Sequence, residues 1–123
     1  MKNIKRVSEK ELQELSLIVL SEPSEIRQTA SGKRLQILSP GRLNPLEGPD
    51  FLDIAILLDG FVVVGDGEFH KKSSDWNIHR HSNDTRYKNV ILHIVLEKNI
   101  EIRTEKFETL VLSESELLAA KEK

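Results

Sequence analysis

The chain contains no cysteine among its 123 residues, so neither a disulfide framework nor a thiolate metal site is open to it. Any metal must be held by carboxylates and imidazoles, and a reducing compartment fits the composition. Long apolar runs are missing too: nothing approaches the roughly eighteen residues of a membrane span, and the opening MKNIKRVSEKEL lacks the continuous apolar region of a secretion signal. The expected location is therefore cytoplasmic, with no membrane partner. There is no excess of charge of one sign. A formal net charge of −2 excludes a protein that coats nucleic acid by bulk electrostatics, because such binding needs clustered Lys and Arg. Aromatic residues are few, and Trp76 and Tyr87 read as core anchors rather than as platforms on which bases stack. Internal repeats are absent. The simplest organisation is one domain over residues 1–123, long enough to bury about two thirds of its unfolded surface.

Against this sparse background, one stretch is rich. Between Gly48 and Leu96 lie Asp50, Asp66, Glu68, Asp75 and every histidine of the chain: His70, His79, His81 and His93. They stand on or between short apolar segments, the composition of a metal or acid/base site. The charge there also departs from the average. Between Phe69 and Asn89, Lys71, Lys72, Arg80, Arg86 and Lys88 face only Asp75 and Asp84, an excess of three positive charges (five minus two). This excess suits either a phosphate-binding rim or a solvated loop.

Hydrophobic periodicity places these residues on elements. Ser8 with Glu11 is a capping-box pattern, and Leu12, Leu15, Ile18 and Val19 follow at helical spacing, which predicts an amphipathic helix ending near Leu20. SEPSEIRQTASGKR reads as turn and connector; a strand through Leu35 and Ile37 ends at Ser39-Pro40-Gly41, and GRLNPLEGPD is too irregular to be an element. FLDIAILL and FVVVGDGEFHKK read as a hairpin closed at Asp59-Gly60. In its second strand Val62, Val64, Asp66, Glu68, His70 and Lys72 share one face, because side chains alternate with a period of two. Residues 73 to 89 read as a short helical turn capped by Ser73 or Ser74, followed by loop. Val90–Leu96 is a central strand; Glu101–Leu112 supplies one or two more, and Ser113 with Glu116 opens a last helix. The expected class is α/β or α+β: a mixed central sheet with an N-terminal and a C-terminal helix.

Same-face residues two apart on a strand lie about 6.5–7 Å apart, so Asp66, Glu68 and His70 form a row of ionisable groups. In a core such groups must be neutralised, paired or bound to a cation. On a surface they carry no such penalty, and an exposed strand with salt bridges is the plain alternative. If the hairpin brings Asp50 beside Glu68, the carboxylates Asp50, Asp66 and Glu68 suit a hard cation, Mg²⁺ or Mn²⁺, with water and phosphate completing the octahedron. That ion would activate water and neutralise developing charge on a phosphodiester. A second reading is a zinc site built from His79 and His81 with His70 or His93 and a carboxylate. His93 alone, within a strand, is more often a buried histidine hydrogen-bonded to a backbone or carboxylate partner, and Asp75 and His79, four apart, suit a bond across one helical turn.

At these residues the chain resembles a family of uncharacterised bacterial proteins, a domain of unknown function with the pattern GxLNxxxGPDFxxAxI, GDVExH and SDWxxHxHxxxxxYxxVxLHVV. The matching segments are GRLNPLEGPDFLDIAI, GDGEFH and SDWNIHRHSNDTRYKNVILHIV, covering about residues 32 to 96. Relatives several times longer make this a short member or an amino-terminal portion. The family is in turn remotely similar to the PD-(D/E)xK restriction-endonuclease-like fold. That resemblance implies a divalent-metal-dependent nuclease acting on nucleic acid, with Pro49-Asp50 supplying one carboxylate and Glu68-Phe69-His70 the second motif. His70 then stands where lysine is expected, with Lys72 on the same face as an alternative donor. It also implies Glu68, His70 and Lys72 as the catalytic set. Other readings of the same residues are a non-catalytic interaction module with an internal polar network and the histidine-rich zinc hydrolase.

Overall fold

A computed structural model describes residues 4–22, 25–78 and 84–122. After a short 3-10 turn at Ile4–Arg6 the elements are α1 (Glu9–Leu20), β1 (Ile26–Gln28), β2 (Arg34–Ser39), β3 (Arg42–Leu43), β4 (Phe51–Leu58) and β5 (Phe61–Lys72). There follow α2 (Asp75–Ile78), a 3-10 turn at Thr85–Tyr87, β6 (Val90–Glu97), β7 (Glu108–Val111) and α3 (Glu114–Lys121). The strands form one mixed sheet in the order β1-β2-β4-β5-β6-β7, with β3 beside β4. β1 through β5 pair antiparallel, whereas β5–β6 and β6–β7 are parallel. The mixed α+β class with a helix near each end agrees with the pattern of the sequence.

Local chemistry fixes the ends of the helices and the hairpin. Ser8 accepts the Glu11 N–H at 3.1 Å to cap α1, and Ser113 and Glu116 form a complete capping box on α3. Asp59 (φ 47°) and Gly60 (φ 90°) both turn through the left-handed region, which a two-residue hairpin turn requires for its twist to match the strands. Asp59 Oδ1 also accepts the Arg34 N–H at 2.8 Å, tying the turn to β2.

One face of the sheet carries the main core. Leu12, Leu15, Val19 and Leu20 of α1 and Leu117 of α3 pack on Leu35, Ile37, Ile54, Ile56, Phe69, Leu92 and Ile94. Truncating any such residue to alanine costs about 2–5 kcal/mol. The opposite face is divided. Over β5 and β6, Trp76, Tyr87, Ile102 and Phe107 close a second, smaller cluster with Val90; toward β1 and β2, Ile26, Val62 and Val64 stay exposed.

Some expectations change and others narrow. A strand, β1, occupies what reads as connector, and β3 lies within the irregular loop; both are short pieces that exist through pairing with a neighbour rather than through a pattern of their own. Of the one or two strands expected in Glu101–Leu112 one forms, because Ile102 and Phe107 turn under Trp76 instead of joining the ladder. Ser73 does not cap α2 with its hydroxyl, which is committed to the Ile100 carbonyl (2.8 Å) and Asn99 (3.0 Å) and so pins the start of the 100–107 segment.

Candidate functional site

Asp50 is delivered by the loop before β4, and that loop is shaped by one side chain. Asn44 Nδ2 donates to the Pro49 carbonyl (2.9 Å), while its Oδ1 accepts the Leu46 N–H (3.0 Å), folding residues 44–49 around a single amide. Gly41, at φ 72°, lies against the Leu52 carbonyl so closely that a Cβ would collide with the backbone. From outside, Arg86 bridges Glu47 (2.8 Å) and Asp84 (2.6 Å), linking the loop to the turn that carries Tyr87. These last pairs are exposed, so solvent screens them and they hold the loop only weakly.

The loop sets Asp50 against Glu68 of β5. Glu68 Oε1 accepts the Asp50 backbone N–H at 3.1 Å, and Asp50 Oδ2 accepts the Phe69 N–H at 2.8 Å, so each carboxylate takes a main-chain donor from the other's strand. The two side chains are also hydrogen-bonded to each other. Glu68 is buried, and burial first, then the Asp50 charge and the bond to Asp50, pushes its pKa up to about 10. Two carboxyl groups in such contact share a proton unless a cation replaces it. The same burial, followed by the Glu68 and Asp50 charges, raises the Tyr87 phenol to about 12, which places Tyr87 in the field of the pair.

Glu68 leads on to the histidines. His70 Nε2 lies 3.5 Å from Glu68 Oε2, and His70 Nδ1 is 2.8 Å from His93 Nε2. Glu68 and His93 are register partners across the parallel β5–β6 ladder, which is why they share a face. Both imidazoles are buried in an aromatic box: Trp76 meets His93 at 5.1 Å and Phe107 meets it edge-on at 5.6 Å between ring centroids. Trp76 and Tyr87, expected as core anchors, do pack as such.

Asp50, Glu68, His70 and His93 are thus brought together. Asp66 is not part of the group: it is half-buried and its Oδ1 accepts the Asp53 N–H at 3.3 Å. β5 keeps its alternation here, but the strands beside it each carry an extra residue: Phe51 to Ile54 of β4 spans Gly67 to Gly65, and Val90 to Leu92 of β6 spans Asp66 to Gly67, so Asp66 and Glu68 meet different surroundings. Lys72 sits at the exposed end of β5, where Asp75 Oδ2 accepts its backbone N–H at 3.2 Å, so Asp75 works as a turn anchor. His79 and His81 lie outside the described residues. Among the described residues no three His, Asp or Glu side chains gather at metal-binding spacing. Asn44 and Arg86 were not singled out as site residues by sequence. Asn44 had a usable signal, an Asn within a Gly- and Pro-rich loop; Arg86 stood only in the local basic excess, and its bridge to Glu47 had no signal because the two are remote in sequence.

The profile of the family described as Protein of unknown function (DUF2851) matches residues 21–121. The chain belongs to this family. No curated protein and no solved structure matches it. Among the described residues no helix is long and apolar enough to cross a membrane.

Proposed function

We propose that this DUF2851 domain holds a divalent cation between Asp50 and Glu68 and uses it to hydrolyse phosphodiesters of nucleic acid. The carrying observation is the approach of two carboxyl groups from adjacent strands, one of them buried, each taking a main-chain donor from the other's strand; burial and the Asp50 charge raise the Glu68 pKa there. Proton and cation answer the same excess of negative charge. Two carboxylates with open positions fit Mg²⁺ or Mn²⁺, which retain several waters and need no all-protein cage. A cation held there would supply a polarised water and charge stabilisation on the phosphoryl oxygens. The chain's own residues then have separable tasks. Asp50 and Glu68 bind, Asn44 and the Phe69 N–H orient Asp50, and His70 faces Glu68.

The topology supports the same reading. An N-terminal helix, an antiparallel run β2-β4-β5 and a return to β6 parallel to β5 put Asp50 just before β4 and Glu68 on its hairpin partner. This is the arrangement that the PD-(D/E)xK resemblance implies, with Glu68-Phe69-His70 as its second motif. Exposed Lys71, Lys72 and Lys88 supply cationic surface compatible with a phosphate backbone. The zinc alternative draws on His79 and His81.

A second reading, a non-catalytic module with a satisfied polar network, is favoured by the exchange of main-chain donors that stitches β4 to β5 through these two side chains. One experiment separates the two. Mg²⁺ and Mn²⁺ are titrated calorimetrically into wild type and Glu68→Gln, and hydrolysis of DNA and RNA is followed in parallel. Glutamine keeps the neutral, hydrogen-bonding shape of the protonated acid, so it should fold normally while cation binding and hydrolysis disappear. Wild-type protein that binds neither ion removes the metal reading and leaves the network.

A further inference from the structure

Arg86 stands against the loop that delivers Asp50. It lies on the 3-10 turn before β6, and a Cβ added at Gly48 would come 3.8 Å from the Arg86 Cβ, so the two chain segments meet two residues away from the candidate ligand. Carboxylate oxygens hold its guanidinium. Nε–H donates to Asp84 Oδ1 at 3.1 Å, Nη2–H to Asp84 Oδ2 at 2.6 Å and Nη1–H to Glu47 Oε2 at 2.8 Å. A fork of donors facing anionic oxygens is also the pattern with which arginine takes a phosphate.

The two acidic partners are held differently. Asp84 caps the same turn by accepting the Arg86 N–H at 2.9 Å, and its side chain is 29% exposed, whereas that of Glu47 is 90% exposed. Asp84 is a fixed support and Glu47 an exchangeable one. Releasing the Glu47 carboxylate leaves Asp50 in place, because Asn44 Nδ2 holds the loop from within through the carbonyls of Glu47 (3.3 Å) and Pro49 (2.9 Å). We propose that Arg86 is a substrate-binding residue: its Nη1 edge takes a non-bridging oxygen of the phosphate next to the scissile one, a place that Glu47 fills until nucleic acid arrives. The inference rests on the nuclease reading above for its substrate. Glu47 precedes Asp50 by three residues, at most about 11 Å of extended chain, so a strand with one phosphate at Asp50 carries its neighbour past Arg86. Two carboxylates alone repel a polyanion; a guanidinium beside them supplies attraction and leaves cation binding to Asp50 and Glu68.

The test reads binding apart from cleavage. A short labelled oligonucleotide, DNA and RNA in turn, is titrated with the full chain by fluorescence anisotropy, in EDTA and again in Ca²⁺, over a series of salt concentrations. Arg86→Gln should weaken binding about tenfold, the loss of one charge-assisted contact, and lower the salt slope by about one. Glu47→Gln should strengthen binding severalfold, and only while Arg86 is present. A bridge that merely clamps the loop predicts the reverse for Glu47, since either substitution breaks it; parallel losses in the two variants therefore overturn the proposal. So does a gain from Glu47→Gln that persists in the Arg86→Gln background, which is general electrostatics. Arg86→Lys, which keeps the charge without the fork, should show a smaller loss in the same direction and stands in if Arg86→Gln does not fold. Wild type that binds no oligonucleotide in either condition overturns the assignment. Protein that binds with the expected pattern but takes up no Mg²⁺ or Mn²⁺ and cuts nothing keeps Arg86 as a phosphate contact and discards the metal reading.

Discussion

The two ends of one face of β5 reverse the usual relation between polarity and burial. Val62 and Val64 are 65% and 64% exposed, whereas Glu68 and His70, on the same face six residues further along, are 4% and 2% exposed. Nothing in the strand itself produces this. The valine end looks out beside Leu57 and Ala55 of β4 with no layer of the described residues above it, while the acidic end is roofed by Trp76, Tyr87 and Phe107 from segments that return over the sheet. Between them stand Gly65 and Gly67. A Cβ at Gly65 would strike the Asn89 carbonyl and one at Gly67 would press on Ile54, so the strand lies unusually close to its neighbours where the face changes character. A polar site is thus kept from water by a few aromatic side chains while apolar surface is left in it.

The roof is the most sensitive part of that contrast. Trp76→Ala should destabilise the protein by about 3–5 kcal/mol, measured by urea unfolding, and should bring the two strand ends toward equal solvent access, measured as faster hydrogen exchange at Phe69 and His70. Retained protection at these amides would mean that the sheet, not the roof, keeps the site dry.

The next effect is electrostatic. Because the folded-state pKa of Glu68 is raised far above its unfolded value of 4.5, the folded protein binds a proton that the unfolded chain has released. Stability contributed by this group is complete below pH 4.5 and is lost as pH climbs toward about 10, with a slope of at most ~1.4 kcal/mol per pH unit. Melting of metal-free wild type followed from mildly acidic to mildly alkaline pH should therefore fall more steeply than that of Glu68→Gln, which has no proton to lose there. Parallel profiles for the two proteins would show that Glu68 ionises normally in the fold.

The smallest effect belongs to the open end. Val62→Thr and Val64→Thr should each change stability by no more than about 0.5 kcal/mol, since neither side chain leaves a packed environment. A loss several times larger would place a covering layer over the valines and erase the contrast.

Much of this architecture is legible in the chain. The caps at Ser8 and Ser113, the Asp59-Gly60 turn, the 3.6-residue spacing of Leu12, Leu15 and Val19, and the alternation of Leu52–Leu58 and Val62–Lys72 are local rules obeyed within a few residues. The sequence named Asp50, Asp66 and Glu68 as metal ligands, Glu68, His70 and Lys72 as the catalytic set and His93 as a further candidate; the structure brings Asp50, Glu68, His70 and His93 together and leaves Asp66 apart. That separation was not legible, because the extra residues in β4 and β6 that flank Asp66 arise from pairing with two neighbours at once and no single strand encodes them.

Sequence by itself determined which residues share a face of β5, since alternation is a property of one extended backbone, and, by its lack of cysteine, that any metal would have to be held by carboxylates and imidazoles. Only the tertiary structure decided which half of that face is buried, and that Asp50 meets Glu68 while His70 meets His93. Burial and proton sharing depend on residues dozens of positions apart, Trp76 and Phe107 over the sheet and the Asn44 loop at its edge, whose distances are set by the packed fold.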